Sequence, residues 1–291
     1  MNPKNATAYA GLVVLSLVWG MAFVAIKVVV AEMSPVNLAL MRWLIASVPF
    51  LALFPFIGRP KAHFERKDVP RLLVVALANV AGYHISLNYA ETTLSAGLSA
   101  LLIAFGPIFI VVLSYLLLSE KAGRKTLLGL ALAIAGTAVL SIGSVSATDF
   151  ASFTGIFEGL VTALCYALFA VLGKPLVQKY GSAFTTIMAG LVGTAMMTPL
   201  VSGSFFGQVL SLSFEGWIGV LYLGLLSTVF GYLMFYELMS HGALSRLSIQ
   251  LYLVPVVSII GGATLLSEPV TVPVVIGGAM MLFAVAVTTW R

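Results

Sequence analysis

One cysteine, Cys165, is present in the whole chain, so no intrachain disulfide can form and no cysteine cluster is available for a metal. Charge is equally scarce. Only 9% of the 291 residues are Asp, Glu, Lys or Arg while 60% are hydrophobic, which is too little polar surface to cover a water-soluble globule of this size. Catalytic signatures are missing too. No HExxH, GxSxG, Walker-A or dinucleotide glycine pattern occurs in a plausible context, and His63, His84 and His241 are too scattered for a recognised metal or nucleophile set. These absences argue against an enzyme and against ATP-driven pumping by this chain alone, and they call for no cofactor and no metal. The N-terminus carries no short apolar stretch ending in a small-residue cleavage site. Ala8 to Val30 is long enough to cross a bilayer and reads as a retained first helix.

What the chain has instead is a succession of long apolar runs. A spanning helix needs roughly 20 residues, and cutting wherever charges, Pro/Gly clusters or Asn/Asp/Ser runs intervene gives ten expected spans. They cover 8–30, 35–57, 70–90, 95–118, 126–144, 153–174, 183–202, 214–237, 245–266 and 270–290. The longest connection, Gly58 to Val69, is the one strongly polar stretch, and no separate soluble domain is expected. With the N-terminus inside, the inner loops receive Lys4, the group from Arg59 to Arg71, Lys121 to Lys125, Lys174, Lys179, Arg246 and Arg291, leaving Lys27 and Arg42 nearer the outside. Since positively charged loops stay cytoplasmic, both termini are predicted inside. The basic balance follows from this topology, with the lipid bilayer as partner and no nucleic acid.

The tetrapeptide LLSE occurs twice, ending at Glu120 and at Glu268, each time after a proline at the same spacing (Pro107, Pro255). Residues 8–144 laid over 153–290 also align the first spans, pairing Trp19 with Tyr166 and Lys27 with Lys174. The chain therefore divides into repeats, 1–148 and 149–291. Five spans per half is an odd number, so the second copy enters the membrane from the opposite side. The predicted fold is an all-α integral membrane protein of ten transmembrane helices in two inverted five-helix repeats, an arrangement suited to alternating access around a midplane site. Gly129, Ala133, Gly136, Gly277 and Gly278 read as small-residue packing faces, compatible with a monomer or a weak homodimer.

Polar side chains inside hydrocarbon tend to face a bundle interior or a wet cavity. His84, Asn88 and Glu91 share a face of the third span with Tyr83 beside them; Glu158, Thr162, Tyr166 and Phe169 form a stripe on the sixth; Ser16, Gly20, Phe23 and Lys27 line up on the first, next to Trp19. Ser95 and Ser99 on the fourth, Gln250 on the ninth and Tyr232 on the eighth add to the set. The expected binding residues are Trp19, Phe23, Tyr83, His84, Asn88, Ser99, Glu158, Tyr166 and Gln250, a mixture of rings and hydrogen-bonding groups that suits a small zwitterion. Pro107 and Pro255 read as paired kinks that flex during gating. Lys27 and Lys174 read as gate contacts or topological anchors. His84, Glu158 and Glu237 are the candidates for a proton cycle. Arg42 sits about 10 Å into its span at 1.5 Å per residue and calls for a carboxylate or carbonyl partner that the sequence does not identify.

Trp19-Gly20 followed by Lys27, the Pro-plus-LLSE passages closing the fourth and ninth spans, and ten spans in two halves resemble the EamA-type branch of the drug/metabolite transporter superfamily. Within it the chain looks most like bacterial aromatic or other amino-acid exporters. The second half departs from the pattern, with Tyr166-Ala167 where the first has Trp19-Gly20. The resemblance implies an inner-membrane carrier exporting amino acids by alternating access, with the fifth and tenth helices apart from those that form the cavity. A drug or other small-metabolite exporter on the same scaffold, and a channel-like pore, are the alternatives.

Overall fold

In the computed structural model the described residues are 3–118, 150–240 and 244–289, with scattered helical positions between 128 and 139. All regular structure among them is helical, as hydrocarbon requires of a chain that must satisfy its backbone polar groups within each crossing segment. The helices are α1 (Pro3–Val30), α2 (Pro35–Ile57), α3 (Val69–Ala76), α4 (Tyr83–Thr93), α5 (Ala96–Ile103), α6 (Gly106–Leu118), α7 (Phe150–Tyr180), α8 (Ser182–Met197), α9 (Phe205–Ser211), α10 (Phe214–Leu221), α11 (Gly231–Ser240), α12 (Leu244–Leu265) and α13 (Val272–Thr289). Two π-helical segments, Leu77–Gly82 and Tyr222–Phe230, join α3 to α4 and α10 to α11.

Seven helical stretches among the described residues are long and apolar enough to cross a membrane: Ala10–Val30, Pro35–Ile57, Arg66–Thr93, Ala96–Leu113, Phe153–Tyr180, Ser182–Leu200 and Phe214–Phe235. Shorter apolar helices, Leu253–Leu265 and Val272–Ala284, follow at the positions of the ninth and tenth expected spans. The fifth, 126–144, lies largely outside the described residues. Large apolar side chains such as Phe56, Phe153, Phe157, Ile218 and Phe283 are exposed, which is the surface expected of a bundle whose solvent is lipid.

Prolines and serines shape the ends and breaks. Ser95 Oγ accepts from Leu98 N at 3.2 Å and Ser213 Oγ from Gly216 N at 3.0 Å, capping α5 and α10. The fourth expected span is interrupted at 104–105, just before Pro107, whose ring nitrogen cannot donate to the Ile103 carbonyl. Its counterpart Pro255 lies inside an uninterrupted α12, so the matched prolines produce one break and one continuous helix.

The polar contacts gather the loops at two ends of the bundle. At one end the Gly58–Val69 loop docks on the end of α7: Lys61 N donates to Tyr180 O at 3.1 Å, and Tyr180 Oη and Lys179 Nζ both donate to Asp68 Oδ2, at 2.5 and 2.7 Å. Lys179 Nζ also reaches Glu65 Oε1 at 2.5 Å. At the other end Asn37 Nδ2 donates to Ser202 Oγ at 2.8 Å and to Gln208 Oε1 at 2.7 Å, while Glu32 takes Ser213 Oγ at 2.6 Å and Ser213 N at 2.7 Å. The short helix α9 belongs to this end. It falls in the connection between the seventh and eighth expected spans, and its Phe206 and Leu210 are exposed with Phe214 beyond it, the pattern of a helix lying at a membrane surface.

Glu32 gives this end a pH dependence with a definite sign. The Ser213 hydroxyl, then its backbone N–H, hold the carboxyl below its ordinary value of 4.5. A carboxylate favoured in the folded state contributes stability that is complete above the unfolded value and is lost as pH falls through the lower folded one. In a thermal-melt series in detergent, the wild-type midpoint should drop below about pH 4.5, and Glu32→Gln should flatten that part of the profile. An unchanged profile in the variant would show that the loop clamp adds nothing.

Packing places α1 along α12, α7 against α4 and α6, α2 against α8 and the second π segment, and α8 against the first π segment. At Gly20 α1 and α12 approach closely: a Cβ there would lie 2.5 Å from Val257 Cβ and 3.0 Å from the Val254 carbonyl. The main core runs through Trp43, Phe50, Phe169, Tyr180, Phe184, Tyr232 and Phe235.

Candidate functional site

Between these helices lies a cavity lined mainly by apolar and aromatic side chains with a few polar groups, the kind of lining that small-molecule sites have. Its wall takes residues from α1 (Trp19, Ala22, Phe23, Ile26), α2 (Arg42), α4 (Tyr83, His84, Leu87), α5 and the break after it (Ala100, Ile103, Ala104), α7 (Tyr166, Phe169), the second π segment (Ser227), α11 (Tyr232) and α12 (Val254, Pro255). The break before Pro107 thus presents Ala104 to the cavity, and the π segment presents Ser227. Interrupted helices at such depth are tolerated where they line a cavity.

Rings form much of the wall and brace one another. Centroids lie 5.7 Å apart for Trp19 and Tyr232, 4.9 Å for Tyr83 and His84, 5.2 Å for Tyr166 and Phe169, and 6.4 Å for Phe169 and Tyr232. Trp19 Nε1 donates to Ser227 O at 3.0 Å, which fixes the indole against the π segment. His84 is fully buried, with Nε2 3.4 Å from Tyr232 Oη and Nδ1 without a partner among the described residues. Trp43 packs edge-on against it, ring centroids 5.4 Å apart.

Arg42 is the charged residue of the wall. It is 4% exposed, its Nε donates to Thr228 Oγ1 at 2.7 Å and its Nη2 to Ser227 Oγ at 2.9 Å. The carboxylate or carbonyl partner called for by its depth in the span is replaced by two hydroxyls, which the π segment turns toward α2. A close approach makes this possible: a Cβ on Gly224 would sit 2.6 Å from Ile45 Cγ2 and 3.2 Å from the Arg42 carbonyl.

Of the residues singled out in the sequence, Trp19, Phe23, Tyr83, His84, Tyr166 and Pro255 line this cavity. Asn88 is buried and donates from Nδ2 to Pro35 O at 2.8 Å, tying α4 to the start of α2. Ser99 is fully buried, its Oγ without a hydrogen-bond partner among the described residues. Glu158 is half-buried on α7, away from the lining set, and Lys174 is exposed. Lys27 Nζ donates to the carbonyls of Glu91 and Leu94, both at 2.7 Å, and so holds the end of α4. The side chains of Pro107 and Gln250 lie outside the described residues. Arg42, Phe169, Ser227 and Tyr232 line it too, beyond the expected binding set, together with aliphatic side chains such as Ile26, Leu87 and Val254. Arg42 was signalled by its charge inside a span, whereas Ser227 gave no signal of its own.

The second LLSE passage has a structural task. Both Glu268 oxygens lie 3.1 Å from Ala96 N, so the carboxylate sits at the N-terminus of α5, where the helix dipole favours negative charge. Glu120, in the first passage, lies outside the described residues.

Comparison with known proteins agrees with this architecture. A chain from Archaeoglobus fulgidus named "Uncharacterized transporter" is 32% identical over 267 residues, 92% of this chain and 93% of its own. A "Probable terminal-alkyne amino-acid exporter" from Streptantibioticus cattleyicolor is 28% identical over 291 residues, 99% of this chain and 95% of its own. A "Probable amino-acid metabolite efflux pump" from Salmonella typhimurium is 28% identical over 287 residues, 92% and 89% of the two chains. A solved crystal structure shares the fold at TM-score 0.64 and 16% identity, covering 97% of this chain and 95% of that one. The model of the EamA-like transporter family matches twice, over residues 6–142 and 153–290. With apolar helices long enough to cross a membrane several times, a cavity between them and a family match over both halves, the chain is a multi-pass membrane protein that belongs to the EamA-like transporter family.

Proposed function

We propose that this chain is a carrier that exports amino acids, aromatic or broadly neutral, across the bacterial inner membrane by alternating access, with the cavity as its substrate site. The observation that carries this reading is the cavity wall: rings from α1, α4, α7 and α11 beside one arginine, drawn from both halves of the chain. Such a wall offers an apolar body stacking surfaces and a polar group one firm partner. Two relatives whose names include amino-acid export or efflux, each 28% identical, point the same way.

The chain works, in this reading, as two inverted five-helix repeats, 1–148 and 149–291, with ten transmembrane helices and both termini cytoplasmic. Spacing supports the repeat. The offset of 148 positions between Glu120 and Glu268 also separates the first residues of α4 and α11, Tyr83 and Gly231. A π segment precedes each of these two helices. Packing is also reciprocal: α1 of the first half lies on α12 of the second, and α7 of the second lies on α5 and α6 of the first. Pseudo-symmetric halves of this kind can exchange roles between inward-open and outward-open states.

The test is counterflow in liposomes of the purified protein, loaded with a panel of unlabelled amino acids and assayed for uptake of a labelled one, with and without a pH gradient. Saturable exchange confined to certain amino acids is expected. Exchange of drugs or other metabolites but of no amino acid would move the assignment to another carrier of the same scaffold. Non-saturating flux without counterflow would indicate a pore.

A further inference from the structure

Arg42 brings a positive charge into a cavity that supplies nothing to balance it. None of the lining residues is acidic, and every ion pair among the described residues involves Lys67 or Lys179 at the polar end of the bundle. A buried charge without a counter-charge is costly. Two hydroxyl dipoles lower that cost without cancelling it.

The guanidinium is also oriented. A guanidinium presents two hydrogen-bonding edges, one through Nε and one nitrogen of the fork, the other through the two terminal nitrogens. The first edge is filled, by Thr228 Oγ1 on Nε and Ser227 Oγ on Nη2. Nη1 has no partner among the described residues, so the terminal edge remains to be used, on a residue that lines the cavity. Thr228 is itself held, donating to Leu223 O at 2.8 Å, and the Ser227 carbonyl is held by Trp19. The arginine therefore has a fixed pose and a free two-pronged donor edge, the geometry that a carboxylate matches.

An ammonium group receives no charged partner here. The wall offers it ring faces and neutral acceptors such as His84 Nδ1 but no carboxylate, contacts weaker than a bidentate pair of opposite charges, and the Arg42 charge repels it. Resting on the carrier reading above, we propose that Arg42 is the carboxylate anchor of the cavity, so that the substrate class is small monocarboxylates with an apolar or aromatic body, the α-amino group being dispensable. The anchor selects for the acid. The rings select for the body.

The experiment is competition against uptake of labelled L-phenylalanine, or of whichever amino acid the counterflow panel establishes, by wild-type protein in liposomes. The competitors are the deaminated acid, here 3-phenylpropionate, and the decarboxylated amine, here phenethylamine. The acid should inhibit within about threefold of the parent amino acid, and the amine at least about 30-fold more weakly. Arg42→Gln should erase that discrimination; Arg42→Lys, which keeps the charge and loses the fork, should retain the preference for the acid at lower affinity. An amine that competes as well as the amino acid while the acid does not would overturn the anchor and leave the carrier standing. Discrimination surviving in an active Arg42→Gln protein would overturn the assignment to Arg42. Failure of every amino acid to exchange in the wild type would remove the carrier reading itself, and the anchor with it.

Discussion

Replacing Gly20 with valine is expected to force α1 away from α12 and to abolish exchange. The virtual Cβ at this glycine lies 2.5 Å from Val257 Cβ and 2.6 Å from its Cγ1, with the Val254 carbonyl at 3.0 Å. Nothing in that set is the flexible end of a long side chain: Val257 branches at the atom in contact, and the carbonyl belongs to the α12 backbone. Relief must come from moving whole helices, and overpacking of this kind costs about 1–3 kcal/mol. At the upper end that corresponds to a midpoint lowered by roughly 10 °C in a thermal melt, taking about 2–4 °C per kcal/mol for a chain of this order of size. Transport should suffer more than stability, because Ala22, Phe23, Val254 and Pro255 on these same two helices form part of the cavity wall. Gly207→Val is the control, since nothing lies within 4 Å of a Cβ there, and it should leave melt and exchange unchanged. Wild-type behaviour of Gly20→Val would show that the α1–α12 contact is looser than described.

Arg42→Met should separate stability from transport in a way that a structural arginine would not. Methionine fills most of the arginine's volume and removes a buried charge that has no acidic partner among the described residues. Replacing buried ionic groups by apolar ones of similar size is often neutral or stabilising. Of the two hydroxyls released, Thr228 keeps its bond to Leu223 O. The midpoint is therefore expected to stay within about 3 °C of wild type or to rise. Exchange of the transported amino acid should fall at least about 30-fold, the cost of removing one side of a buried charge-assisted pair. A collapse of stability alongside transport would instead identify Arg42 as a strut between α2 and the second π segment.

Seven of the ten expected membrane spans were legible in the sequence because each is a local property: an apolar run of sufficient length, bounded by charge or turn residues. Pro107 likewise announced the interruption that separates α5 from α6. Several features of the cavity were legible for the same reason. Trp19, Phe23, Tyr83, His84 and Tyr166 sit at helical spacing on polar or aromatic faces, and their meeting in one wall follows once the helices pack. What was not legible depends on partners far along the chain. Arg42 finds its hydroxyls at 227 and 228, separated from it by 186 residues in the case of Thr228, and Ser227 points there only because the backbone between Tyr222 and Phe230 is π-helical. No local pattern in YLGLLSTVF announces that departure. Asn88 shares a helical face with His84 yet bonds the Pro35 carbonyl, a choice made by the position of α2. Helix α9 was hidden because it is short and its apolar residues, at 205, 206, 209 and 210, resemble the edge of a neighbouring span.

The most direct test of the central claim asks whether the cavity is the place where the transported molecule binds and whether both sides of the membrane reach it. Ala104 lines the cavity at the break between α5 and α6, and the chain's one native thiol, Cys165, can be replaced by serine. In an Ala104→Cys, Cys165→Ser protein oriented in vesicles, a membrane-impermeant thiol reagent should modify residue 104 when applied from either side. Saturating amounts of the amino acid established by counterflow should protect it in both cases. Modification indifferent to that amino acid, or absent from both sides, would contradict the account.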